Sequence, residues 1–117
     1  MSDKYRAFNQ KRYDWFVSTL EECGTFLFNA DDTTIETCIF LDFDIDVRCC
    51  LCDENLEFFT DNFMIYEDIR IKCVELRNKA VKAFDNYNLR SVNAVRTSSE
   101  WREILKLSDE IKGMLYY

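Results

Sequence analysis

The sequence predicts an α+β fold: an N-terminal helix, an antiparallel sheet of three to four strands over residues 25–59, and two longer helices packing on that sheet. Apolar residues recur at steps of three and four near both ends of the chain, which is typical of helices. Between Thr33 and Val47 they alternate with other residues, which is typical of a half-buried strand. The length of 117 residues favours one domain, so residues 1–117 are predicted to form a single acidic unit.

The first helix is predicted over residues 5–23. Its stripe comprises Phe8, Trp15, Phe16, Thr19, Leu20 and Cys23. Gly24 follows directly, and glycine commonly ends a helix in a left-handed conformation that other residues resist.

The sheet is predicted to begin with a short strand at 25–28 and to continue through the alternating run 33–47. A bend near 42–46 is expected to divide that run, since fifteen residues is long for one strand. The second strand continues to Cys52, and a last short strand is predicted at 56–59. One face of the alternating run is apolar and consists of Ile35, Thr37, Ile39, Leu41, Phe43, Ile45 and Val47. The other face is largely acidic and is expected to meet solvent.

The two later helices are predicted over residues 63–87 and 98–115. The first has the clearest helical period, with Ile65, Ile69, Cys73, Leu76, Ala80, Phe84 and Tyr87 at steps of four and three. Thr97 and Glu100 form the reciprocal capping pattern that starts the second. Residues 86–96 have no strong period and fit a loop, a helical turn or a short strand. The predicted core is Trp15, Leu20, Ile35, Ile39, Leu41, Phe43, Leu51, Ile69, Cys73, Leu76, Phe84, Trp101, Ile104 and Ile111.

The acidic residues are concentrated in one segment. The net charge is −7, and residues 31–68 contain twelve acidic residues but only one basic residue, Arg48. On a strand, Asp42, Asp44 and Asp46 would lie about 7 Å apart, a spacing similar to that of phosphates along a DNA strand. Such a face would attract a Lys- and Arg-rich groove. The alternative interpretation is that the carboxylates only solvate the outer face of a sheet and prevent edge-to-edge association.

These features predict a non-enzymatic binding protein that inhibits a basic, nucleic-acid-binding protein by mimicking DNA or RNA. The alternative function is a small acidic chaperone or a toxin-immunity protein that acts by specific protein–protein binding. No direct contact with nucleic acid or membrane is expected, and a homodimer is compatible with the sequence. The predicted partner-binding residues are Glu36, Phe40, Asp42, Asp44, Asp46, Asp53, Glu54 and Glu57.

Catalysis, cofactors and metals are not expected. The chain has no His, which removes the usual general base and the commonest metal ligand. The Asp42-x-Asp44-x-Asp46 spacing resembles the start of a calcium loop, but Phe43 and Ile45 intervene and the required glycine is missing. Four thiols are enough in number for zinc, but they lack the paired spacing of zinc motifs; they are Cys38, Cys49, Cys50 and Cys52.

The six cysteines are predicted to be reduced thiols that mostly pack as small hydrophobes. The chain begins with a polar stretch and has no run of about 18 apolar residues, so neither export nor a membrane span is expected. The predicted location is therefore the cytoplasm, or a host's cytoplasm if the protein is viral.

The predicted order of elements, with the small size and acidity, resembles two kinds of protein. One is the small acidic inhibitors that bacteriophages direct against host nucleases, including anti-CRISPR proteins. The other is the acidic chaperones of type III secretion. The resemblance concerns element order and charge, and implies binding to another protein rather than catalysis.

Overall fold

The computed structural model describes residues 3–115, with side chains from Ala7 onward, and within that range the chain is helical and contains no strand. In this described part of the chain, seven α-helices follow one another as α1 Asp3–Glu21, α2 Asp32–Ile35, α3 Asp44–Cys50, α4 Asp53–Asp61, α5 Glu67–Phe84, α6 Val92–Thr97 and α7 Ser99–Leu115. A π-helix, Glu36–Phe43, joins α2 to α3, and 3₁₀ turns lie at Thr25–Asn29 and Tyr87–Leu89. The α+β prediction is therefore wrong, and the fold is all-α.

The predicted sheet fails most clearly at residues 32–50, where α2, the π-helix and α3 form one uninterrupted helical run. We call this run the 32–50 helix. Its buried side chains are Ile35, Ile39, Phe43, Val47 and Cys50, followed by Leu51. All of these except Cys50 are spaced four residues apart, and every series with a step of four also fits the two-residue period of a strand. The alternation that predicted a strand is therefore two interleaved helical series, one buried and the other exposed.

The π-helix explains how a pure four-residue step stays on one face. In an α-helix with 3.6 residues per turn, a side chain four positions further along is rotated by about 40° around the helix axis. After four such steps the side chain would no longer face the core. A π-helix closes its hydrogen bonds one residue later and takes more residues per turn. The Glu36–Phe43 segment thereby cancels much of the drift and keeps Ile35, Ile39, Phe43 and Val47 buried.

The other predicted strands are also helical. Residues 25–28 form part of a 3₁₀ turn, and residues 56–59 lie inside α4. Gly24 has φ 174°, which is extended rather than left-handed. Glycine fits at this position because it has no side chain: a Cβ there would lie 2.5 Å from Asp109 Oδ1. Since residues 3–115 contain no sheet, the resemblance to phage inhibitors and secretion chaperones no longer has support from the order of elements.

The two later helices are confirmed, with shorter bounds. α5 and α7 pack against each other and bury Ile69, Cys73 and Leu76 on one side and Trp101 and Ile104 on the other. The apolar stripe predicted for the first of these helices extended too far toward its C-terminal end, because α5 ends at Phe84 and Tyr87 is exposed. The cap of α7 is Ser98, not Thr97: Ser98 Oγ accepts from the Trp101 amide at 3.2 Å.

The undecided residues 86–96 form the second 3₁₀ turn and α6. The side chain of Ser91 caps α6 by accepting from the Ala94 amide at 3.0 Å. Trp101 Nε1 donates to the Leu89 carbonyl at 2.8 Å, which ties the 3₁₀ turn to α7.

The predicted core is largely confirmed, with two corrections. Leu41 is 63% exposed and Trp15 is 44% exposed. Both belong to helix faces that turn away from the body, Leu41 because it falls in the exposed four-residue series. Within residues 3–115 no helix is long and apolar enough to cross a bilayer.

Candidate partner-binding surface

The outer face of the 32–50 helix carries two exposed aliphatic side chains, Leu41 and Ile45, one turn apart. They are 63% and 62% exposed. We call them the aliphatic pair. Helical geometry places Asp42 and Asp46 on one side of this pair and Phe40 and Asp44 on the other. The two sides, named here the carboxyl flank and the arginine flank, differ in electrostatics.

On the arginine flank, Asp44 is neutralised by two guanidinium groups. Its oxygens accept from Arg48 Nε at 3.1 Å and from Arg90 Nη2 at 3.0 Å. Arg48 also pairs with Asp85 at 3.3 Å. A shallow groove of about 460 Å³ runs between these residues and Ile45. Asp44 therefore offers little net negative charge to a partner.

The arginine flank continues into a second groove of about 300 Å³, which contains Glu36, Phe40 and Leu41. Phe40 is half-buried and meets Phe84 and Trp101 edge-on, with centroids 6.0 and 6.3 Å away. Phe40 is therefore held by the core, whereas Glu36 is exposed.

On the carboxyl flank, Asp46 lies against Glu22, which follows the C-terminal end of α1. Glu22 Oε2 is buried, and no N–H or hydroxyl group of the described residues donates to it. Burial, the hydrogen bond with Asp46 and the charges of Asp46 and Asp42 raise the pKa of Glu22 to about 9. The two carboxyls can form that hydrogen bond only when one of them carries a proton. Near neutral pH the Glu22 carboxyl therefore keeps its proton.

The other three predicted site residues lie on α4. Asp53 pairs with Arg77 at 2.6 Å, and the same guanidinium donates to the Leu51 carbonyl at 3.1 Å. Glu54 and Glu57 are exposed. The structure thus brings Asp42 and Asp46 together, places Asp44 on the opposite flank, and separates the α4 residues from both.

Sequence reasoning missed three residues of this surface. Leu41 and Ile45 were assigned to the buried face, although they form a second series with a step of four, two residues out of phase with Ile39 and Phe43, which could have identified a second helical face. Glu22 is 24 positions from Asp46, and no local pattern indicates their contact.

The thiols lie inside the fold or along its surface without forming a metal site. All six cysteines are free. Burial raises the pKa of Cys50 and of Cys73 to about 12 and raises that of Cys23 as well. Among the residues described, no three Cys, Asp or Glu side chains converge closely enough to hold a metal ion.

Comparison with known proteins identifies no relative. No protein-family model, curated protein sequence or solved structure matches the chain.

Proposed function

We propose that the protein is a non-enzymatic binding protein that docks the outer face of the 32–50 helix onto a basic surface of a macromolecular partner and blocks that surface. The observation that carries the proposal is the aliphatic pair, two exposed apolar side chains one turn apart beside a carboxyl flank. Amphipathic helices commonly bind partners by placing side chains at this spacing in an apolar groove.

The energetics of the aliphatic pair favour binding. Burying a Leu or Ile side chain contributes about 1.5–3 kcal/mol, and interfaces concentrate their binding energy in a few such anchors. In the isolated chain Leu41 and Ile45 leave that contribution unused. A partner with an apolar groove of matching width would recover it.

Charge supports a basic partner. Of the twelve acidic residues in 31–68, four form ion pairs, namely Asp32, Asp44, Asp53 and Glu67. The other eight have no ion pair with any described residue. They provide a negative field that accelerates encounter with Lys and Arg. Proteins that bind nucleic acid neutralise its phosphates with Lys and Arg, so we propose a nucleic-acid-binding protein as the partner.

A specific protein–protein binder that leaves nucleic acid binding intact is the second candidate. The aliphatic pair favours it, because mimicry of phosphates requires no apolar contact. Competition separates the two candidates: an oligonucleotide should displace the first from its partner but not the second.

The test begins with the partner captured from the native host and compares its affinity for matched variants. Replacing both Leu41 and Ile45 with Ala should raise the dissociation constant by about 100-fold, as expected for the loss of two anchors. The control is Ile71→Ala, which removes a side chain of similar exposure, 56%, from α5. This control variant should bind the partner with an affinity within about threefold of that of the wild type. Equal affinity of the double variant and the wild type would refute the proposed surface.

A further inference from the structure

The N-terminal half of α1 extends away from the body of the protein. Among the side chains of α1 that the structure describes, the buried ones are Phe16, Thr19 and Leu20, all in the second half of the helix. None of residues 7–12 is buried. The molecule measures 48 × 26 × 25 Å with a radius of gyration of 14.5 Å, compared with about 13.4 Å for a compact domain of this length. Residues 3–12 therefore form an arm.

The arm carries an aromatic and cationic face. Phe8, Lys11, Arg12 and Trp15, at helical spacing, line an open groove of about 340 Å³ with Asn55 of α4. Arg12 lies 4.0 Å above the Phe58 ring and donates to Asn55 Oδ1 at 2.5 Å. Phe8 is 58% exposed. Trp15 is also exposed, at 44%, and exposed aromatic side chains at helical spacing are typical of helix–helix association.

The charges on the two walls of this groove are opposite. Residues 7–12 contain two basic residues and no acidic one, whereas residues 53–61 contain four acidic residues and no basic one. Asp53 and Glu57 face α5, where both are attracted to Arg70. Helical geometry places Glu54 and Asp61 between these two residues and Phe58, which lies on the groove side of α4. Neither forms an ion pair with a described residue, so they border the groove as free negative charges.

We propose that the arm binds a second copy of this chain in a two-fold symmetric dimer. In that dimer the two arms run antiparallel, and Phe8 and Trp15 of each copy pack in the groove of the other. Lys11 of each arm faces Glu54 and Asp61 of the other copy. The chain contains both halves of this contact, a basic aromatic arm and an acidic helix beside an apolar groove, as an interface between identical surfaces requires. The surface is separate from the 32–50 helix face and does not depend on the proposed partner.

The first test is the mass of the protein in solution, measured by light scattering or sedimentation at low salt. The wild type should have twice the chain mass of 14.0 kDa. Phe8→Glu should weaken the dimer by at least about tenfold, because it places a charge in the apolar groove. Ile71→Glu is the matched control, an exposed apolar residue on α5, and should remain dimeric.

The second test uses charge reversal and mixing. Lys11→Glu alone, and Glu54→Lys with Asp61→Lys, should each give monomers because like charges then face each other twice in the homodimer. Mixing the two variants should restore a dimer containing one copy of each, because both contacts become attractive again. A folding defect in either variant could not produce this recovery.

Two results would overturn the proposal. One is a wild type that stays at the single-chain mass up to about millimolar concentration, a dissociation constant too weak for a specific interface. The other is a set of variants in which mixing restores nothing. If the monomeric wild type instead binds a single-stranded oligonucleotide and Phe8→Glu abolishes that binding, the arm is a stacking surface for nucleic acid and the dimer is excluded.

Discussion

The two flanks of the 32–50 helix contain aspartates two residues apart that are neutralised in opposite ways. Asp44 accepts from Arg48 and Arg90, so its charge is compensated by cations. Asp46 lies against Glu22, and the negative charge there is reduced because Glu22 keeps its proton. The same residue type thus forms an ion pair on one side of the helix and a carboxyl pair on the other, depending on which helix it faces.

This difference determines how each flank responds to its surroundings. Ion pairs at a surface are screened by salt but are insensitive to pH near neutrality. A carboxyl pair loses its proton as pH rises, and the repulsion then destabilises the fold. A cation from a partner could replace that proton on the carboxyl flank, whereas the arginine flank already has its cations. The carboxyl flank is therefore the side on which a basic partner gains most.

The largest expected effect concerns the residue that holds both flanks in place. Phe43 is fully buried beneath the aliphatic pair, and Phe43→Ala should lower the free energy of unfolding by about 3–5 kcal/mol through lost burial and a cavity. Leu41→Ala, on the exposed face, should change it by less than about 0.5 kcal/mol. Urea denaturation measures both. A loss at Leu41 comparable to that at Phe43 would show that the outer face is packed in solution.

The carboxyl flank gives the second effect, which depends on pH. Glu22 has a pKa of about 9 in the fold and 4.5 as the reference value. Between these values the unfolded chain has released the proton and the folded chain has kept it, so stability should fall as pH rises from 4.5 to 9. Glu22→Gln should remove this slope and raise the free energy of unfolding near pH 8 by about 1 kcal/mol after solvent screening.

The control for this effect is Glu21→Gln, an exposed neighbour on α1, which should leave the pH profile unchanged. Denaturation midpoints measured from pH 4 to 9 test the assignment. If Glu22→Gln and the wild type lose stability in parallel across that range, the proton is held elsewhere.

The sequence predicted helices correctly where the apolar steps mix three and four. Ile69, Cys73, Leu76 and Ala80 combine both steps, a pattern that no strand can bury on one face. The series of Ile35, Ile39, Phe43 and Val47 uses only steps of four, which a strand and a helix containing a π segment satisfy equally. The apolar residues between them completed a strand-like alternation, so the local signal favoured the wrong element.

The candidate surface was predicted in composition but not in geometry. The acidic segment and the residues that carry it could be recognised from charge alone. Which aspartate meets a cation depends on contacts between Asp44 and Arg90 and between Asp46 and Glu22, and these join positions 46 and 24 residues apart. Such contacts follow from helix packing, which the incorrect sheet prediction could not provide.

The smallest expected effect concerns the arginine flank and should have the opposite sign to that of Glu22→Gln. Asp44→Asn removes the acceptor shared by Arg48 and Arg90, whose side chains are 40% and 44% exposed. It should therefore lower the free energy of unfolding by only about 0.5–1 kcal/mol at low salt. In about 1 M salt, where the Debye length is roughly 3 Å, the difference from wild type should shrink to less than half. Glu36→Gln, an exposed carboxylate without an ion pair among the described residues, is the matched control and should show neither the loss nor the salt dependence. A loss at Asp44 that persists undiminished in salt would mean that its hydrogen bonds, rather than its charge, hold α3 to Arg90 in the segment before α6.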